Sequence, residues 1–331
     1  MKQSLSPKEL AQAIGVSESS LKRWTDSGRV KASRTVGGHR RINVQEAIRF
    51  IRESSLPLVR PEILGLPDLN GDELTRDVSG AAGTLARLLR EGDLPRSQAL
   101  VLNLYLSGHS VAWICDGPLS HAMCEIGELW VKDAPDGVFS EHRATEMATQ
   151  IMNQLRMLLE PGMDMDLPER PKAVGGCPMG DHGALASVMV AGTLAEAGYE
   201  AVNLGGDTPV DALCEAIGEY SPLLVYLTCP HPGNLPKTSE LERISSQAVK
   251  TGGCLVLGGL GAEEAFRPLL PNIFMHHSMS ELSAFARGLL AQREPKVEVQ
   301  TKPMAPAKQA AMNGHALNGH SVNGHSANDK R

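Results

Sequence analysis

Apolar positions recur along the chain in three rhythms, and each change of rhythm marks a division. Near the amino end the spacing is helical: Leu10, Ala11 and Ile14 share one face, Gly15-Val16 makes a turn, and Ser17 is placed to cap a second helix carrying Leu21 and Trp24. Two short helices across such a turn make a helix-turn-helix, with Trp24 in its core. Gly28-Arg29-Val30 begins a wing, and Arg34-Thr35-Val36-Gly37-Gly38-His39-Arg40-Arg41-Ile42 is a tight Gly-Gly turn flanked by cations. From Asp72 to Leu159 the rhythm stays helical, with stripes such as Leu85, Leu88 and Leu89, then Leu100, Leu102, Leu104 and Leu106. Gly92-Asp93, Gly108-His109 and the stretch 133–137 interrupt it, which leaves room for about four helices, the size of a four-helix bundle.

Further on, short apolar runs alternate with helical stretches. Cys177 to Pro209 reads as strand, loop, helix, strand and Gly-rich turn. Val188, Val190, Leu194 and Ala197 mark the helix, Gly198 its C-cap, and Ala201–Leu204 the strand. A helix over Val210–Tyr220, a strand over Leu223–Leu227, a helix from Thr238 and a strand over Cys254–Leu257 follow, the last running into Gly258-Gly259-Leu260-Gly261. Strands alternating with helices mean a parallel sheet, whose ligands bind beyond the carboxyl ends of the strands. The fold class expected is multidomain α and α/β: a winged helix-turn-helix (1–55), a linker marked by Pro57, Pro61 and Pro67 (56–69), a helical bundle cap (70–166), a Rossmann-like, flavodoxin-like domain (167–292) and a disordered tail (293–331). The tail is polar and repeats Asn-Gly-His, ending at His315, His320 and His325; it is either a solubilising extension or a weak metal binder.

Charge sharpens the first division. Residues 1–60 hold 12 Lys/Arg and 5 Asp/Glu, a net of +7, against −6 for the whole chain, which leaves −13 for the rest. Backbone phosphates are held mainly by Lys and Arg, so the amino end is the nucleic-acid face. Ser19, Ser20, Lys22 and Arg23 on the second helix are candidates for base or backbone contact in a major groove, and the wing residues Arg34, Gly37, Gly38, His39, Arg40 and Arg41 for phosphate contact. The six cysteines lack metal-site spacing, and the chain has neither a secretory signal nor an apolar run of about 18 residues. A cytoplasmic protein with reduced thiols and no membrane partner is expected.

The pattern from Lys8 to Ile42, with its Arg-Trp and Gly-Gly-His-Arg-Arg elements, resembles the MerR-type winged helix-turn-helix. The later part resembles the cobalamin-binding domain shared by methionine synthase, corrinoid proteins and light-sensing repressors of the CarH/LitR type. Leu204, Gly205, Asp207, Thr208 and Pro209 match the repressors' Leu-Gly-x-Asp-Thr-Pro, while Gly258, Gly259 and Gly261 match the late turn. Thr228 stands where a Ser or Thr meets the nucleotide tail. The family's loop reads acid, any residue, His, two more, Gly. Asp181 matches the acid, Gly183 stands at the histidine position and Ala186 at the last glycine, so His182 falls one residue early. By resemblance His182 is the lower axial ligand of cobalt; read from the residues alone it is equally an exposed loop histidine. Trp130, followed after ten residues by Glu141-His142, resembles the cap residues that lie beside the adenosyl group.

The resemblance implies a transcriptional regulator rather than an enzyme, binding double-stranded operator DNA as a homo-oligomer under control of cobalamin, with adenosylcobalamin favoured. In the light-sensing relatives the adenosyl form is a repressing tetramer that photolysis breaks apart. Two alternatives stand beside it: a ligand-independent regulator whose sensor domain serves oligomerisation or protein partners, and a corrinoid methyl carrier.

Overall fold

The computed structural model describes residues 2–69, 77–131, 137–160, 169–231, 233–265 and 272–293. The Asn-Gly-His repeats lie outside them. The first helix, Pro7–Ala13 (α1), starts where local hydrogen bonding is complete: the Ser6 hydroxyl accepts from Glu9 N at 3.2 Å, and the Glu9 carboxylate accepts from Ser6 N at 2.7 Å. Glu18–Asp26 (α2) is capped by Ser17, whose hydroxyl accepts from Ser20 N. Ser4–Leu5 (β1), Ser33–Arg34 (β2) and Arg40–Asn43 (β3) form an antiparallel sheet in the order β1-β3-β2, the last two strands being the wing. Val44–Ser54 (α3) closes the domain, burying Ile48, Phe50 and Ile51 against Leu10, Leu21 and Ile42. Trp24 is half-buried against Phe50, their ring centroids 5.3 Å apart.

The proline-bearing stretch expected to be a linker is instead laid down on this domain. Pro61–Leu64 forms a short 3-10 helix, and Leu64, Leu66 and Leu69 are buried. Val59 N and Arg60 N both donate to the Ala13 carbonyl, and Lys2 N donates to that of Leu64. The leucines among and just after the prolines are what the composition argument overlooked.

Among the described residues four helical rods follow: Val78–Glu91 (α4), Leu94–Leu106 (α5), a third rod, and a long one. The third consists of Val111–Ile114 (α6), a π-helical turn at Cys115–Leu119 and Ser120–Val131 (α7). Pro118 sits inside the wide turn, where its missing N–H and its ring exclude regular α-helical bonding. The Ser120 hydroxyl donates to the Cys115 carbonyl at 2.6 Å within the same turn. Gly137–Leu159 (α8) completes the set.

The remaining strands, Lys172–Gly176 (β4), Glu200–Asn203 (β5), Leu224–Thr228 (β6), Cys254–Gly258 (β7) and Ile273–His276 (β8), build one parallel sheet in the order β5-β4-β6-β7-β8. This is the flavodoxin-like doubly wound order, with its switch point between β4 and β6. Ala184–Ala197 (α9), Val210–Tyr220 (α10), Thr238–Lys250 (α11), Leu260–Ala265 (α12) and Met279–Arg293 (α13) accompany the strands. Two details differ from the sequence reading. Cys177, read as strand, lies just past β4: its N–H donates to Gly205 O and its carbonyl accepts from Thr208 N, so the chain has already turned toward the next loop. The reading also ended before β8 and α13, because the run Ile273–His276 has no strong apolar alternation.

α9 is buried nearly all round, and its two sides serve different cores. Val188 and Met189 pack with the bundle, while Val190, Ala191, Leu194 and Ala197 pack with the sheet. A helix apolar on every side is one covered on every side. Met1–Arg293 accordingly form one compact unit, and polar contacts join its parts. Arg52 of α3 donates to the Tyr105 carbonyl, lies 4.5 Å from that ring's centroid, and reaches Glu196 of α9 at 3.7 Å. The Asp116 carboxylate in the π turn accepts from Met279 N at 2.8 Å, Ser280 N at 2.9 Å and the Ser280 hydroxyl at 2.6 Å, so the bundle supplies a cap for the start of α13.

Candidate functional site

At the carboxyl edge of the sheet, the loops after β4 and β6 flank the switch point. The first of them is tied down over a short stretch. Gly180 N donates to Asp207 Oδ1 at 2.8 Å, Asp207 N donates to the Asp181 carbonyl at 2.7 Å, and Asn234 Nδ2 donates to the Gly180 carbonyl at 3.2 Å. Asp181 is 1% exposed. Its carboxylate accepts from Gly183 N at 3.1 Å and from His231 Nδ1 at 3.4 Å, His231 coming from the loop after β6. Beneath lie Cys177 and Thr228, whose Sγ and Oγ1 are 3.0 Å apart. Burial pushes the Cys177 thiol up, and that of Cys229 up to about 12, so neither offers a thiolate.

The loop after β6 rests on the glycine turn after β7. Cys229 N donates to the Gly258 carbonyl at 2.8 Å, and Gly261 N donates to that of Cys229 at 2.9 Å. Gly259 has φ +97°, and a Cβ at Gly261 would stand 2.2 Å from the His231 carbonyl oxygen. The two glycines therefore allow one loop to lie directly on the other.

Between this edge, α9 and α13 opens a cavity of about 180 Å³. Thr228, Gly258 and Gly259 line it, with Met189, Asp116 and His276. The His276 ring packs on Phe285 at 4.7 Å between centroids; burial lowers its pKa, and its Nε2 is buried with no hydrogen-bond partner among the described residues. Polar atoms so placed are satisfied in nearly all folded proteins, so an unmet polar group lies within the wall of the cavity. Around the mouth of the edge, Met179 on the loop after β4 and Leu260 at the start of α12 are each 67% exposed, and Leu204 on the loop after β5 is 36% exposed.

Residues 171–272 match the B12 binding domain family, and residues 4–55 match a helix-turn-helix domain family. The chain is similar to the HTH-type transcriptional repressor CarA of Myxococcus xanthus, with 25% identity over a match covering 78% of this chain and 88% of that protein. Among solved structures it is similar to a Methanosarcina barkeri monomethylamine corrinoid protein, with a TM-score of 0.48, 14% identity, and 62% of this chain and 96% of that one covered. It is similar also to a cobalamin-binding protein of Desulfitobacterium hafniense, with a TM-score of 0.29, 14% identity, and 65% and 99% covered.

Within the B12 binding domain, the positions singled out from sequence divide. Thr228, Gly258 and Gly259 meet at the cavity, and Asp181, Gly205, Asp207 and Thr208 form the floor of the loop next to it. Asp207 adopts φ +51°, which an Asp tolerates while it holds Gly180 N. His182 is exposed on the same loop. Its carbonyl lies against Gly206, where a Cβ would come within 3.0 Å. Glu141 accepts from the Thr145 hydroxyl on α8, and His142 is exposed beside it; neither is on the cavity lining. The Trp130 side chain lies outside the described residues. His231, Asp116 and His276 were not found from sequence. The signal for His231 was its place between two prolines, three residues after Thr228.

In the helix-turn-helix domain, Lys22, Arg23, Arg34 and His39 are exposed, and their side chains make no hydrogen bond or ion pair among the described residues. The hydroxyls of Ser19 and Ser20 both lie 2.9 Å from that of Ser17. The wing turn is closed by Gly38 N donating to the Thr35 carbonyl and by Gly38 at φ +78°, and it leaves Gly37, Gly38 and Val36 at its exposed tip. Arg40 departs from expectation. Its guanidinium is held by Asp26 at 2.5 Å and the Thr25 hydroxyl at 2.9 Å, so it braces the wing against α2 instead of standing free for phosphate. Arg41 is half-exposed, 3.6 Å from Glu9.

Proposed function

We propose that this chain is a DNA-binding transcriptional regulator whose operator affinity is set by cobalamin. The observation that carries the reading is a basic helix-turn-helix head on the same compact unit as a B12 binding domain with an open cavity at the carboxyl edge of its sheet. The residues present fit the cofactor in three respects. The cavity is smaller than the ~300–1,000 Å³ that encloses a drug-sized ligand, so it suits the nucleotide tail and leaves the macrocycle outside. His276, in its wall, carries a buried Nε2 with no hydrogen-bond partner among the described residues. Met179, Leu204 and Leu260 form an apolar rim on which a flat macrocycle would rest. When bound, cobalamin would supply a cobalt centre whose upper ligand is exchangeable.

The chain's own residues would then act as follows. Thr228, Gly258 and Gly259 admit the tail. Asp116 lines the same cavity while it caps α13, so the bundle is tethered where a ligand enters. Ser19, Ser20, Lys22 and Arg23 would face a major groove, and Arg34, Gly37, Gly38, His39 and Arg41 a phosphate backbone. A single winged domain makes few phosphate contacts, so tight binding calls for several heads on one operator, which motivates a homo-oligomer. The adenosyl form and control by light belong to this proposal, with Trp130, Glu141 and His142 beside the upper face of the corrin. A methyl carrier would have no use for the helix-turn-helix.

The test is to purify the full chain with adenosylcobalamin in the dark, pass it through gel filtration, and titrate a pool of random-sequence duplexes with and without illumination. Corrin absorbance eluting with the protein, and DNA retention that depends on cobalamin, are expected. Elution of all corrin at the free position would overturn the sensor reading and leave the ligand-independent regulator.

A further inference from the structure

Resting on the cobalamin reading, we infer that His231, and not His182, is the protein's ligand to cobalt, with the buried Asp181 carboxylate as its positioning residue. Four features of the edge converge on this ring. The acid to be matched with a metal-bound imidazole is fully buried, and it spends one oxygen on Gly183 N and the other on His231 Nδ1. Metal-bound histidines almost always donate their second ring nitrogen to such a carboxylate, which fixes the tautomer and leaves the other nitrogen's lone pair free. With Nδ1 donating to Asp181, Nε2 of His231 is the free acceptor, on a side chain that is 68% exposed.

Position agrees with chemistry. A Cβ built at Gly183 would stand 3.9 Å from His231 Cε1, so the imidazole occupies the space beside the residue that stands at the family's histidine position. The ring has been supplied from the opposite side of the β4/β6 switch point. Its backbone is also held: the loop after β6 is seated on the glycine turn, with Cys229 bonded to Gly258 and Gly261. Gly261 has no side chain where the His231 carbonyl passes, which is what this seating requires. His182 has none of these supports. Asp181 is its immediate neighbour but faces His231, and no hydrogen bond to the His182 ring is present among the described residues.

The experiment uses the full chain grown with ¹⁵N-histidine, loaded with hydroxocobalamin and reduced to the cob(II)alamin state. Electron paramagnetic resonance then reads the axial nitrogen, a triplet for ¹⁴N and a doublet for ¹⁵N. A doublet is expected in the wild type and in His182→Ala, its loss in His231→Ala, and a broadened one in Asp181→Asn. ¹⁵N-imidazole added to His231→Ala should bring back a doublet, which the cofactor's own ¹⁴N base does not give. A doublet that survives His231→Ala, or one lost in His182→Ala, would overturn the assignment. If His231→Ala takes up no corrin, the His182→Ala spectrum decides. Corrin retained by the wild type without any protein nitrogen overturns this assignment alone, whereas no corrin retained at all overturns the cobalamin reading with it.

Discussion

Asp116→Ala is the substitution that most directly tests how the bundle and the sheet are held together. The carboxylate receives three donors at the start of α13, two of them backbone amides that have no partner inside the helix. Loss of a side-chain cap costs ~0.5–2 kcal/mol, and a hydrogen bond to a charged group contributes ~1.5–3 kcal/mol. Ser280 is exposed, so water replaces part of what is lost there, and the Ser278 hydroxyl continues to accept from Glu281 N. The net expectation is ~2 kcal/mol, lost locally. Amide exchange over the first turns of α13 should quicken by about 30-fold, while exchange in α1 to α3 stays as it was. Asp116→Asn should lie close to Asp116→Ala, because its amide group would present a donor to one of the two backbone amides. Unchanged protection of α13 in Asp116→Ala would refute the claim that the bundle caps this helix.

Four further outcomes follow from the geometry. Gly261→Ala should abolish retention of cobalamin on gel filtration while the circular dichroism spectrum persists, since its methyl meets the His231 carbonyl at 2.2 Å and forces the loop away; full retention would contradict the seating described above. Lys22→Ala with Arg34→Ala should reduce the slope of log affinity against log salt on random-sequence duplexes by about 2. Arg40→Ala should leave that slope unaltered and instead loosen the wing, so equal slope changes in both variants would disprove the bracing role. Glu9 is held down to about 2 by the Lys2 ammonium first, then by the Ser6 amide and hydroxyl. Its carboxylate therefore contributes stability above pH 4.5 that is lost as pH falls toward 2, and Glu9→Gln should flatten the acid limb of a stability-against-pH curve for the helix-turn-helix domain.

How much was legible from sequence depended on whether the information was local. The two capped helices of the head, the Gly-Gly wing, the four-helix stretch and the alternation of strands with helices were all written in short-range spacing, and the structure contains each of them. Arg40 shows the limit of that reading. Composition marks a cation in a wing, but only packing brings Asp26 of α2 to it and takes it out of the free set. The stretch 56–69 shows the same limit from the apolar side, because proline content marked a linker while three leucines found a core.

Sequence by itself determined the order of the domains, the basic character of the head and the glycines at the carboxyl edge, because turns, caps and periodicity are properties of neighbours in the chain. Tertiary structure alone decided which histidine meets the acid. Asp181 and His231 are separated by a helix, a strand, a second helix and another strand, and only the β5-β4-β6 order of the sheet sets their two loops side by side. Adjacency in sequence pointed to His182; adjacency across the switch point pairs the carboxylate with His231.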